Sequence, residues 1–184
     1  CTIRYTIDAS GTLKVTAHYP GISGEKFMPL FGMDFKLKKQ LGNFSFYGLG
    51  PEENYSDRKC GARLGVFEST AAQNMARYLI PQECGNREGV RYLTIKDQKG
   101  HGIRFTMTQS PFSASVLPYS AYELENAMHT YELPQVNYTW VRIMAGQTGV
   151  GGDDSWGAPV HEQYCMRADQ PATLEFTMSP WAGK

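Results

Sequence analysis

Apolar side chains recur at every second position along much of this chain. In Phe31-Gly-Met33-Asp-Phe35-Lys-Leu37-Lys the alternation is strict. A period of two belongs to an extended strand with one dry and one wet face. The same pattern in Thr2-Ile3-Arg4-Tyr5-Thr6-Ile7 and in residues 12–19, around the turn-forming Asp8-Ala-Ser-Gly11, predicts a hairpin. Further strands are predicted at 31–38, 43–47, 91–95, 102–107 and 138–143, with a closing pair at 162–166 and 172–178. Nine or so short strands separated by turns imply an all-β fold, an antiparallel β-sandwich. Two capping-box patterns predict one or two short helices: Ser120-Ala-Tyr-Glu123, running to about Met128, and Thr70-Ala-Ala-Gln73, leading into 75–78.

No linker, repeat or low-complexity tract divides the sequence, so residues 1–184 are expected to form a single domain. Eighteen basic residues balance eighteen acidic ones, which argues against a partner bound by bulk charge, nucleic acid above all. An apolar share of 41% argues against disorder. No apolar run approaches the roughly 18 residues of a spanning helix, so no membrane is expected as a partner. No signal peptide is visible, and the opening residue is Cys1 rather than Met, so the chain is expected to be a fragment or a processed product. The four cysteines, at 1, 60, 84 and 165, form no Cys-x-x-Cys pair and are expected to be free thiols, with one remote disulfide left open.

The segment Gly149-Val-Gly-Gly-Asp153-Asp154-Ser155-Trp156-Gly157 stands out. Its glycines leave a backbone with little intrinsic order, and an indole follows two carboxylates and a hydroxyl. An indole face is a flat apolar platform suited to the C–H patches of a sugar ring, with an N–H at its edge. The competing reading is a turn whose Trp156 plugs the core. A hard cation on Asp153 and Asp154 is disfavoured, because the alternating oxygen ligands of a calcium loop are missing. Glu52, Glu53, Asp57 and Arg58 in Gly48-Leu-Gly-Pro-Glu-Glu-Asn-Tyr-Ser-Asp-Arg58 are expected to form a structural ion-pair network. No Gly-x-Ser-x-Gly elbow occurs, and His161-Glu-Gln-Tyr-Cys165 falls short of a zinc motif. His129, just past the first predicted helix, is a candidate acid or base, although a helix end also favours a histidine electrostatically.

Four motifs occur in one order: Phe46-Tyr-Gly-Leu-Gly-Pro-Glu-Glu-Asn-Tyr-Ser-Asp-Arg58, Pro81-Gln-Glu-Cys-Gly-Asn-Arg87, Ala127-Met-His129 with Glu132-Leu-Pro134, and Gly149-Val-Gly-Gly-Asp-Asp-Ser-Trp-Gly157. Together, from about Met28 to Pro180, they resemble the C-terminal domain of large β-galactosidases of glycoside hydrolase family 2. The resemblance implies a sandwich like that of galactose mutarotases. Because the family's domain starts well before the equivalent of Cys1, it also implies that the first sheet lacks strands here. The retaining hydrolysis of terminal β-D-galactosides such as lactose would use two glutamates in a separate (β/α)8 barrel, so no catalytic residue is expected in this chain. The family's magnesium and sodium are likewise bound outside it, and no metal or cofactor is expected here. Trp156 would reach the barrel's active site and stack on the sugar, chiefly on the acceptor side, while Asp153, Asp154 and Ser155 shape the loop. The implied partners are the barrel and other domains of a parent enzyme that forms a homo-oligomer, and the galactoside. The implied setting is the bacterial cytoplasm, with the periplasm left open. Two other functions remain: a free-standing carbohydrate-binding module built on Trp156, and a mutarotase-like epimerase using His129.

Overall fold

The computed structural model describes residues 1–22 and 24–183. Its strands are β1 (Thr2–Ile7), β2 (Leu13–Tyr19), β3 (Phe27–Met28), β4 (Leu30–Lys38), β5 (Asn43–Gly50), β6 (Arg63–Thr70), β7 (Arg87–Val90), β8 (Tyr92–Lys96), β9 (His101–Met107), β10 (Phe112–Leu117), β11 (Tyr138–Gln147), β12 (Met166–Arg167) and β13 (Ala172–Ala182); the one α-helix among the described residues is α1 (Ala121–Glu125). Seven strands form an antiparallel sheet in the order β1-β2-β13-β9-β8-β5-β6, and four form a second in the order β4-β11-β10-β7. A short pair, β12 with β3, stands apart.

Alternation explains how the two sheets meet. On β4, Phe31, Met33, Phe35 and Leu37 turn to the core, and across the layer gap Phe35 lies 5.1 Å from Phe105 and 6.0 Å from Phe176, ring centre to ring centre. The buried core continues through Phe44, Phe46, Leu93 and Ile95 on the large sheet and Val116, Val141 and Ile143 on the small one. This is the expected all-β sandwich. No helix among the described residues is long and apolar enough to cross a membrane.

Several local expectations are overturned. Residues 162–164 form a 3-10 turn rather than a strand, and β13 pairs with β2 and β9 instead of a preceding hairpin partner. The capping pattern at Thr70 yields one turn. Gln73 N donates to Thr70 Oγ1 at 3.1 Å, but the buried Asn74 then turns its amide to the Gly85 and Val116 carbonyls, both at 3.0 Å, and the helix goes no further. The box at Ser120 forms in full, although α1 ends at Glu125, short of Met128.

Candidate functional site

The Gly-rich segment leaves the end of β11 and returns at β12. Its two ends are tied together: Thr148 Oγ1 donates to Met28 O at 2.8 Å and accepts from Met166 N at 2.9 Å, and Gly149 N donates to Tyr164 O at 2.8 Å. Both glycines sit at close approaches, Gly149 against a side chain and Gly152 against backbone. A Cβ on Gly149 would fall 2.4 Å from the Asp57 carboxylate, and one on Gly152 would fall 2.0 Å from the Ala158 carbonyl. Beyond this neck the carboxylates organise the turn. Asp154 Oδ1 accepts from Trp156 N at 2.8 Å and Ala158 N at 3.2 Å, and Asp153 Oδ1 lies 2.7 Å from His161 Nε2. Ser155 is exposed and makes no hydrogen bond among the described residues. Trp156 is 92% exposed, which rules out the core-plug reading. Its indole stands clear of the sandwich on a backbone closed by its own carboxylate.

The loop rests on a second motif. Tyr55 and Arg58 exchange backbone hydrogen bonds of 3.1 and 3.0 Å, making a tight tip with Ser56 and Asp57 at its apex. Ser56 Oγ donates to Tyr164 O at 3.3 Å, and Asp57 Oδ2 accepts from Gly151 N at 2.8 Å. Behind the tip, Glu53 accepts from Arg58, from the Tyr78 hydroxyl and from Gly85 N. Burial works against charge on Glu53, but the Tyr78 hydroxyl, the Gly85 amide and Arg58 outweigh it and hold its carboxyl below the ordinary range. Burial, reinforced by the Glu53 charge, pushes the Tyr55 phenol up. Asn54, 1% exposed, donates to Leu49 O and Glu52 O and accepts from Glu88 N. The expected acidic network is therefore narrower than its sequence: Glu53 pairs with Arg58, while Asp57 serves the Gly-rich loop.

His129 lies elsewhere in the fold. It is exposed, its Nδ1 is 3.2 Å from Glu132 Oε1, and its ring stacks on Tyr131 at 5.1 Å. Among the described residues no hydrogen bond or ring contact joins it to the Trp156 loop. A cavity of about 1280 Å3, lined among others by Met75, Tyr78, Tyr119, Leu133 and Tyr138, includes neither His129 nor any residue of the loop. Sequence reasoning missed this cavity because loops far apart in the chain build it. Among the described residues no group of three or more His, Cys, Asp or Glu side chains is placed to hold a metal ion. All four cysteines are free.

Comparison with known proteins gives a consistent result. The family model for the β-galactosidase small chain matches residues 1–178, a reach that begins at the first residue rather than at about Met28. A β-galactosidase of Halalkalibacterium halodurans is 43% identical over 180 residues, covering 96% of this chain and 18% of that protein. One of Bifidobacterium adolescentis is 46% identical over 177 residues, covering 94% and 17%. The β-galactosidase small subunit of Latilactobacillus sakei is 37% identical over 187 residues, covering 96% and 58%. The chain thus spans under a fifth of the first two relatives and somewhat over half of the third.

Proposed function

Because the chain belongs to the β-galactosidase small-chain family, we propose that it works as one part of a β-galactosidase, contributing a sugar-stacking indole to an active site whose catalytic carboxylates lie in another part of the enzyme. The observation that carries this reading is Trp156, 92% exposed at the tip of a loop closed by Asp154 and seated on Asp57. A large apolar side chain is held in water at a cost that burial elsewhere would avoid. A partner surface and a sugar ring together would remove that cost.

In this reading the indole face packs against the C–H side of the sugar at the acceptor position and aligns the glycosidic bond with a carboxylate pair supplied from outside. Its contribution is orientation, and it moves no proton. Asp153 and Asp154 act on the loop backbone and on His161, not on the reacting bond. Retention of configuration would follow from the carboxylate pair. Magnesium and sodium, which the family resemblance implies for the parent, would be held outside these residues, and no step here depends on them. The rest of the parent enzyme and further copies of it are the partners this reading requires.

The test is Trp156→Ala and Trp156→Phe in the complete enzyme, with KM, kcat and glucose inhibition measured on a chromogenic galactoside and on lactose. Trp156→Ala is expected to raise KM or weaken glucose binding by about tenfold, equivalent to about 1.4 kcal/mol. Phe should recover part of the loss. Unchanged KM and unchanged glucose inhibition would remove the platform from the mechanism. This chain on its own is expected not to turn over the galactoside.

A further inference from the structure

Glycine-rich loops do not hold an exposed indole in one place by themselves. Residues 150–157 are all exposed, and only Gly149 is buried. The bonds of Asp153 and Asp154 stay within the segment, so they give the loop a shape but do not fix its place on the sandwich. Between residues 149 and 161, one hydrogen bond among the described residues comes from outside the 148–166 stretch: Gly151 N to Asp57 Oδ2, 2.8 Å. The same carboxyl group is pressed against Gly149, where even a methyl group would lie 2.4 Å from Oδ2 and 2.5 Å from Cγ.

We propose that Asp57 is the positioning residue of the Trp156 loop, clamping the backbone at Gly149 and Gly151 and so setting where the indole stands. Its consequence for catalysis rests on the reading of Trp156 as a sugar platform; the clamp itself does not.

The mount is rigid. Asp57 sits on the tip closed by Tyr55 and Arg58, beside the buried side chains of Asn54 and Tyr55, and Arg58 is anchored by Glu53 and Tyr78. The adjacent Ser56 bonds to Tyr164 O, the carbonyl that also receives Gly149 N, so tip and neck are joined at two neighbouring points. Asp57 Oδ1 is buried and accepts no hydrogen bond from the described residues. A carboxylate with one oxygen desolvated and unpaired is a poor choice for stability alone. It suits a site where a charge-assisted bond to a main-chain amide must hold a loop still.

The experiment uses the complete β-galactosidase containing this chain, with Asp57→Ala, Asp57→Asn, Gly149→Ala, Trp156→Ala and the Asp57→Ala/Trp156→Ala pair. Hydrogen exchange is followed in a peptide covering 149–158, alongside KM and kcat. Asp57→Ala should speed exchange there about tenfold or more, as expected for loss of a hydrogen bond to a charged group. Asp57→Asn, which keeps an acceptor, should recover part of it. KM should rise toward that of Trp156→Ala, and the double variant should be no worse than Trp156→Ala alone. Gly149→Ala keeps Asp57 but sets a methyl group against its carboxylate, so carboxylate and loop must part; it decides the matter if Asp57→Ala unfolds, and faster exchange in 149–158 is again expected. Unchanged exchange in the folded variants would overturn the clamp. Faster exchange with unchanged KM in Asp57→Ala, while Trp156→Ala does raise KM, would overturn the positioning role. Faster exchange with KM unaffected in Trp156→Ala as well would uphold the clamp and overturn the platform reading instead.

Discussion

Glu53 keeps its charge in a half-buried site because three donors converge on it: the Tyr78 hydroxyl, the Gly85 amide and Arg58. Their combined pull lowers its folded pKa below that of the unfolded chain. A depressed carboxylate pKa stabilises the fold above the unfolded value, and that contribution is lost as pH falls through the folded value. The window therefore opens near pH 4.3, the ordinary glutamate value, and extends downward. Melting curves of the wild type and Glu53→Gln should differ at neutral pH and converge through this window. A constant gap would mean that Glu53 acts by shape and not by charge. Sequence alone placed Glu53 and Arg58 in one network. Tyr78 and Gly85 come from a segment 20 or more residues later, and nothing in local spacing points to them.

At the scale of elements, the box at Ser120 shows a local signal surviving the fold. Ser120 Oγ accepts from Glu123 N at 3.2 Å, and Glu123 Oε2 accepts from Ser120 N at 2.8 Å. The short helix exists to seat Leu124, which is fully buried. Ser120→Ala should cost about 1 kcal/mol, read as a lower urea midpoint with unchanged slope. At Thr70 the same pattern loses to Asn74, whose buried amide satisfies two distant carbonyls at the expense of a second helical turn. Of the strands longer than two residues, three gave no alternating signal. In β10 five of six residues are buried, so its two faces read alike. The four-residue β7 contains Gly89, whose φ of 62° lies in the left-handed region. In β6, Gly65 interrupts the pattern, and a Cβ there would fall 2.9 Å from the Phe67 ring.

At the scale of the whole molecule the two layers are unequal, seven strands facing four among the described residues. On β1, Ile3, Tyr5 and Ile7 stand opposite Ala17, Val15 and Leu13, so they lie on the core side of the sheet. They are nonetheless 47%, 58% and 70% exposed. An edge strand with free backbone groups and an uncovered apolar row invites pairing with another chain. This chain alone should associate in a concentration-dependent way, and Tyr5→Lys should reduce that association in sedimentation velocity while changing stability by less than about 0.5 kcal/mol. Equal association in both proteins would place the contact elsewhere.

Strand periodicity, turn chemistry and one capping box are local, and they were enough to decide an all-β sandwich and most of its strands from residues 1–184. The order of motifs was enough to point to the family. The order of strands required the fold, because β13 inserts between β2 and β9 and completes a sheet whose other strands are far away in the chain. So did the seat of the Trp156 loop. Gly149 and Asp57 are 92 positions apart, and only packing brings that carboxylate up against the loop backbone.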